Sequence, residues 1–321
     1  MSIKDLLSRS DSYPHPTGPI ELRETHISWV FLTDMFAYKV KKPVTLFDGI
    51  LDYQTLELRK KYCDLEVQLN RILCPEIYLG IVAITATGID EQPSSEILDY
   101  AVKMHRMPEE GLLRRKLEHG EPVSIATMQH IAQLIADYHA QCEEKPEYGT
   151  MNKLQRKIEE NFETANQRRP IDTHYIQRVR AFMTANEDLF AQRIRDRRVR
   201  RCHGDLQPNN IILDGDQIHI FDCVEFTELF CSGDVAEDVG FLAMDLDYWN
   251  QAALAEALVD EYVKASGDEG LLDVLNFFKS YRAFVRGKVH DITAAGMMEN
   301  TESKKQQEMA RKYFALAYSY I

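Results

Sequence analysis

Three side chains with oxygen donors stand out by type and spacing. Asp205 lies in Cys202-His203-Gly204-Asp205-Leu206-Gln207-Pro208-Asn209-Asn210, Asn210 ends that run, and Asp222 closes Ile218-His219-Ile220-Phe221-Asp222. The apolar segments Ile211 to Leu213 and Ile218 to Phe221 flank Asp214-Gly215-Asp216-Gln217, whose Asp-Gly pair predicts a tight hairpin turn. Such a hairpin lets a carboxylate, an amide oxygen and a second carboxylate face one cleft. Hard oxygen donors of this kind suit Mg²⁺, which keeps several waters and is held by one or two carboxylates together with substrate phosphates. Any one of these residues alone is ordinary turn chemistry. An Asp, an Asn five residues later and an Asp after the following hairpin together match the catalytic half of a kinase site.

Positioning such a set takes a sheet, a helix and a helical body. Ile20 to Arg23, Ser28 to Leu32 and Phe36 to Lys41 read as three antiparallel strands. Lys39, between Tyr38 and Val40, stands on the third strand, and Lys41 has the same parity. Leu51 to Leu73 reads as a long helix in which Leu58, Tyr62, Leu65, Leu69 and Ile72 form an apolar stripe bordered by Glu66. Ile77 to Ala86 and Ile97 to Met104 complete a five-stranded sheet. His105-Arg106-Met107-Pro108-Glu109 is a polar, proline-broken stretch suited to a hinge. From Leu112 the chain turns helical, with Ser124 as a cap and His130 and His139 read as structural. After Asp238 it stays helical through Gln251 to Ala265, Leu271 to about Ala294, and Ser303 to Ile321. Arg282 and Arg286 share a helix face, either reaching the cleft or pairing with acidic residues behind it.

His203-Gly204-Asp205, Asp222-Cys223-Val224-Glu225 and Gly233-Asp234-Val235-Ala236-Glu237-Asp238-Val239-Gly240 resemble the aminoglycoside phosphotransferase and choline kinase family. Thr25-His26-Ile27-Ser28-Trp29-Val30 and Tyr38-Lys39-Val40-Lys41-Lys42-Pro43-Val44 resemble a bacterial branch of it, some members of which carry a further P-loop ATPase domain. The resemblance implies an α+β, bilobal, protein-kinase-like fold. Its N-lobe, residues 1–107, would hold a five-stranded antiparallel sheet plus helix, and its C-lobe, residues 108–321, would be mainly helical. It also implies ATP and Mg²⁺ as cofactors. Asp205 would accept or orient the acceptor hydroxyl proton, while Asn210 and Asp222 would hold the metals. Lys39, with Lys41 as fallback, would meet the ATP phosphates and Glu66 would orient it. Thr25 and Ser28 stand where a glycine-rich loop would cover the phosphates, Met104 would gate the adenine pocket, and His105 and Met107 would lie in the hinge. Asp238 would accept hydrogen bonds from the catalytic loop. No Gly-x-x-x-x-Gly-Lys-Ser/Thr occurs, so the chain is not itself a P-loop kinase.

At 321 residues with 45% apolar content the chain can bury a full core. The start lacks the apolar run of a signal peptide, no uncharged span of membrane length occurs, and six scattered cysteines form no Cys-x-x-Cys pair. These features predict a cytoplasmic protein with reduced thiols and no membrane span. The net charge of −13 disfavours nucleic acid and fits a cationic or polyhydroxyl small-molecule acceptor. Residues 151 to 201 run against it with 13 Lys/Arg and 7 Asp/Glu, read as two or three helices whose charge answers the acidic remainder. The leading reading is an ATP- and Mg²⁺-dependent phosphotransferase acting on a small-molecule hydroxyl. The alternatives are a nucleotide-binding regulatory module and a protein kinase.

Overall fold

The computed structural model of the chain describes residues 2–46, 49–298 and 300–321. It divides into two compact units, Met1–Leu113 with Asn210–Glu228, and Arg114–Asn209 with Leu229–Ile321.

The first unit contains α1 (Ile3–Leu7), β1 (Glu21–Glu24), β2 (Ser28–Leu32), β3 (Phe36–Lys41), the short pair β4 (Thr45–Leu46) and β5 (Leu51–Asp52), α2 (Leu56–Asn70), β6 (Tyr78–Thr85), β7 (Gly88–Asp90) and β8 (Asp99–His105). The main sheet is antiparallel with order β1-β2-β3-β8-β6-β7. It has six strands, not the expected five. The extra one is the three-residue β7, which folds back on β6 and is too short for alternation to reveal. β3 lies inside the sheet, so its side chains are sorted strictly by parity. Tyr38 and Val40 enter a cluster with Leu7, Phe31, Ile84 and Ala101, while Lys39 and Lys41 share the other face.

The helix after β5 is shorter than its periodicity suggests. Thr55 caps it by accepting the Leu58 N–H at 3.2 Å, and Leu51–Asp52 pairs with Thr45–Leu46 instead of winding. Its buried face also differs from the expected stripe: Arg59, Cys63, Glu66, Val67, Leu69 and Asn70 are inside, whereas Ile72 is exposed. The polar members have partners remote in sequence. Arg59 Nε, for instance, lies 2.9 Å from both oxygens of Asp99, which is what permits charge on an inward face.

Asn210–Glu228 adds a hairpin to this unit. Ile211–Asp214 pairs with Gln217–Ile220, and the two turn residues are Gly215, at φ 59°, and Asp216, one place later than an Asp-Gly corner would put them.

The second unit is helical: α3 (Leu113–Glu118), α4 (Ile125–Gln141), α5 (Met151–Asn166), α6 (Thr173–Ala185), α7 (Glu187–Arg195), α8 (Glu228–Cys231), α9 (Val235–Tyr248), α10 (Ala252–Ser266), α11 (Leu271–Ala295) and α12 (Thr301–Ser319). A two-stranded ribbon pairs Val199–Arg201 with Ser232–Asp234. Ser124 caps α4 by accepting the Thr127 N–H at 3.0 Å, and Met128, Ile131, Ile135 and Tyr138 are buried. α9 is the hub of this unit: residues 235–246 are all buried, and the helix packs against α10 and α11. The basic segment forms three helices, α5 to α7, and part of its charge points inward. Arg193, 3% exposed, bonds Asp234 and Asp268, and Lys157 bonds Glu237 at 2.8 Å. Among the described residues no helix is long and apolar enough to cross a membrane.

Candidate functional site

In the first unit β3, α2 and the segment after the hairpin meet in a ladder of charges. Lys39 Nζ lies 2.9 Å from Glu66 Oε1 and 2.5 Å from Asp222 Oδ1. Lys41 Nζ lies 2.7 Å from Glu66 Oε2 and also bonds Glu225 Oε1, which accepts the Tyr53 hydroxyl at 2.6 Å. Burial works against both ammonium charges, but the surrounding carboxylates outweigh it and hold both lysines well above their ordinary pKa. Burial likewise favours a neutral Glu66, and the two ammonium groups overcome it, pulling its pKa down to about 2. The two lysines are thereby told apart. Lys41 is fully buried with its donors committed to Glu66 and Glu225, and Lys39 is the one that reaches Asp222.

Asp222 sits at φ 66°, a left-handed conformation that Asp tolerates better than most residues but that must be held in place. Its N–H donates to the Tyr78 hydroxyl at 3.3 Å, and the next N–H, of Cys223, donates to Asn70 Oδ1 at 2.9 Å. Asn70 is itself fixed by donating to the carbonyl of Glu66, one helical turn back. The Asp222 side chain remains 43% exposed. Asn210, buried at the end of a single turn, accepts the Phe221 N–H at 3.0 Å through its carbonyl. That bond ties the amide residue to the strand leading into Asp222.

The other sequence candidates of this unit have varied surroundings. Thr25 closes its own turn, its hydroxyl oxygen accepting the Ser28 N–H at 2.9 Å, while Ser28 is fully buried and its Oγ has no hydrogen-bond partner among the described residues. Met104 and Met107 pack with Phe221 against the cluster of Cys63, Val67, Tyr78 and Val102. His105 stacks on Phe36 at 5.6 Å. The N–H groups of His105 and Arg106 donate to the carbonyls of Ile77 and Met35, leaving that of Met107 without a partner among the described residues.

In the second unit the loop carrying Asp205 hangs from α9. Asp238 accepts the N–H groups of His203 at 2.7 Å and Gly204 at 3.0 Å, one on each oxygen, and lies 3.3 Å from His139 Nε2. Burial pushes the Asp238 carboxyl up, but the bond and charge of His139, with His203 and Arg282, prevail and bring its pKa to about 2. Asp205 accepts the Gln207 side-chain amide at 2.8 Å, and its N–H donates to His203 Nδ1 at 3.3 Å. Arg282 answers the question left by the sequence: it is buried behind the loop, donating to the Gly204 carbonyl, with Nε 3.4 Å from Glu237. Arg286, one turn on, is half-buried, 3.5 Å from the Tyr313 hydroxyl. His139, Cys202 and Asp238 bring ligand-type atoms within 4.8 Å of one another. Both Asp238 oxygens are already occupied and Cys202 bonds the carbonyls of Arg200 and Gly233, so the trio reads as a hydrogen-bonded brace.

Gly204 holds φ 83°, and a Cβ there would stand 2.9 Å from the Phe230 carbonyl oxygen and 3.0 Å from Cys231 Cα. Gly204→Ala is therefore expected to cost about 1–3 kcal/mol through strain and to displace Asp205. Urea denaturation together with a larger loss of activity than of stability would show both effects.

Sequence reasoning missed Tyr53, Asn70, Tyr78, Gln207 and Glu225. Glu225 follows Asp222 by three residues, which is the one local signal it offers; Asn70 stands four after Glu66 and so shares its helix face.

The family model described as the phosphotransferase enzyme family matches residues 63–273. Uncharacterized proteins of Mycobacterium tuberculosis and Mycobacterium bovis are each 30% identical over 289 residues, covering 87% of this chain and 56% of their own length. The chain thus spans little more than half the length of those relatives. In fold it is similar to a choline kinase from Cryptosporidium parvum, at TM-score 0.56 and 13% identity over 94% of this chain and 88% of that one. It is also similar to a choline/ethanolamine kinase family protein from Mesorhizobium loti, at 0.56 and 11% over 99% of each, and to APH(2")-IIia in its GDP and kanamycin complex, at 0.58 and 11% over 98% and 99%. With the kinase-like fold and the family match agreeing, the chain belongs to the phosphotransferase enzyme family.

Proposed function

We propose that this chain transfers the γ-phosphoryl group of ATP to an alcohol group of a small molecule, with Mg²⁺ as cofactor. The observation that carries the reading is Lys39, held between the buried Glu66 and the exposed carboxylate of Asp222. A fixed ammonium beside a solvent-facing carboxylate suits a nucleotide polyphosphate and its cation.

The donors fit Mg²⁺: Asp222 offers a carboxylate whose second oxygen has no hydrogen-bond partner among the described residues, and Asn210 offers an amide oxygen. When bound, the metal supplies charge neutralisation at the phosphates. Lys39 receives phosphate oxygens, with Glu66 setting its direction. The unpartnered N–H of Met107 suits the adenine edge, and Met104 and Phe221 supply apolar surface. Asp205 accepts the proton of the acceptor hydroxyl as its oxygen bonds phosphorus and the bond to the ADP oxygen breaks. The protein's acidity supports a cationic or polyhydroxyl acceptor.

Calorimetric titration of ATP with and without Mg²⁺ tests the reading. Metal-dependent binding, weakened at least about tenfold (~1.4 kcal/mol) by Asp222→Ala, is expected. Absence of nucleotide binding under every condition overturns it.

A further inference from the structure

We propose that Glu225 is a positioning residue that keeps Asp222 available to the metal, acting through Lys41 and Tyr53; the proposal rests on the phosphotransferase reading above. Two ammonium groups on one face of β3 share a single helix carboxylate, Glu66. One carboxylate cannot balance two cations of which Lys41 is buried and Lys39 is only 14% exposed. Glu225, 6% exposed and bonded to Lys41 and to the Tyr53 hydroxyl, supplies the second negative charge. Lys39, Lys41, Glu66 and Glu225 then form a neutral set, and Asp222 is the surplus carboxylate left for a cation. Without Glu225, Asp222 would have to balance the second lysine.

The same contact holds the chain in place. When Lys39 turns from Asp222 to nucleotide phosphates, β3 loses that bond to the segment. Lys41–Glu225 keeps another, three residues on, while Tyr78 and Asn70 hold the N–H groups of Asp222 and Cys223. The left-handed backbone at Asp222 therefore stays pinned on both sides.

The test is Mn²⁺ binding in the presence of ADP, read by the electron paramagnetic resonance of free Mn²⁺, with hydrogen exchange of the Cys223 amide alongside. Glu225→Gln, which keeps the side-chain shape, is expected to weaken Mn²⁺ about tenfold, at the lower end of the effect of outer-shell substitutions, and to speed Cys223 exchange. Lys41→Met/Glu225→Gln removes the excess cation with its partner and is expected to recover Mn²⁺ affinity to within about threefold of wild type. Wild-type affinity in Glu225→Gln, or a double variant as weak as the single one, overturns the proposal. Should Glu225→Gln not fold, the double variant decides alone by the same threefold limit. Failure of the wild-type protein to bind Mn²⁺ with ADP is a separate result, and it overturns the phosphotransferase reading itself.

Discussion

Asp205→Asn is expected to lower phosphoryl transfer by about 10²–10⁴-fold, the usual contribution of a positioned general base, while leaving Mg²⁺-ATP affinity within about twofold of wild type. The replacement has the same shape, so its oxygen still accepts the Gln207 amide and its N–H still donates to His203 Nδ1. The negative charge and the basicity are gone. ADP formation with a panel of amino alcohols and polyols, set beside calorimetric ATP binding, separates the two quantities. Unchanged turnover would remove Asp205 from the chemistry.

Asp238→Ala is expected to be among the most destabilising single changes, at about 3–5 kcal/mol, because it strands buried partners. The N–H groups of His203 and Gly204 lose their acceptor, and His139 is left, among the described residues, with the Tyr262 hydroxyl. The effect carries a pH signature. The folded-state pKa of Asp238, about 2, lies below the unfolded value of about 3.9. The folded protein therefore releases this proton more readily. The resulting stability, about 2–3 kcal/mol, is fully present above roughly pH 5 and disappears as the pH falls toward 2. Urea denaturation of wild type and Asp238→Asn across that range should show their difference shrink on acidification. A constant difference would mean that the carboxylate charge is not what the loop requires.

The residues we propose for the chemistry were legible in the sequence because each is tied to a neighbour by short-range geometry. Asp205, Asn210 and Asp222 are spaced by a loop and a two-residue hairpin, and the Gly215-Asp216 turn fixes that spacing locally. The cap at Ser124 works the same way, whereas the cap at Thr55 is hidden in the sequence, because the helical pattern that starts at Leu51 runs past it. Sites formed at long range were not legible. Glu225 meets Lys41 across 184 residues and Asn70 meets Cys223 across 153, and no periodicity encodes such meetings. The inward face of α2 departs from the expected stripe for the same reason: Arg59 and Asn70 look like solvated positions until their partners are known. Lys39 and Lys41 could not be separated by parity, since both face the same way; Glu225 separates them.

The discontinuity of the first unit has a consequence for how the chain is made. Its sheet is encoded by residues up to Leu113, but the strip that supplies Asp222 and Glu225 ends only at Glu228. The 115 residues from Arg114 to Glu228 must be translated in between, a delay on the order of 6–23 s at ~5–20 residues per second. During that interval the nascent sheet carries two lysines, one destined for full burial and one for partial burial, and one carboxylate to meet them. Ribosome-bound chains ending before the strip should leave α2 and β3 open to protease, and those that expose it fully should close them. The timing of protection along the nascent chain is thus written into the order in which the ladder's charges are synthesised.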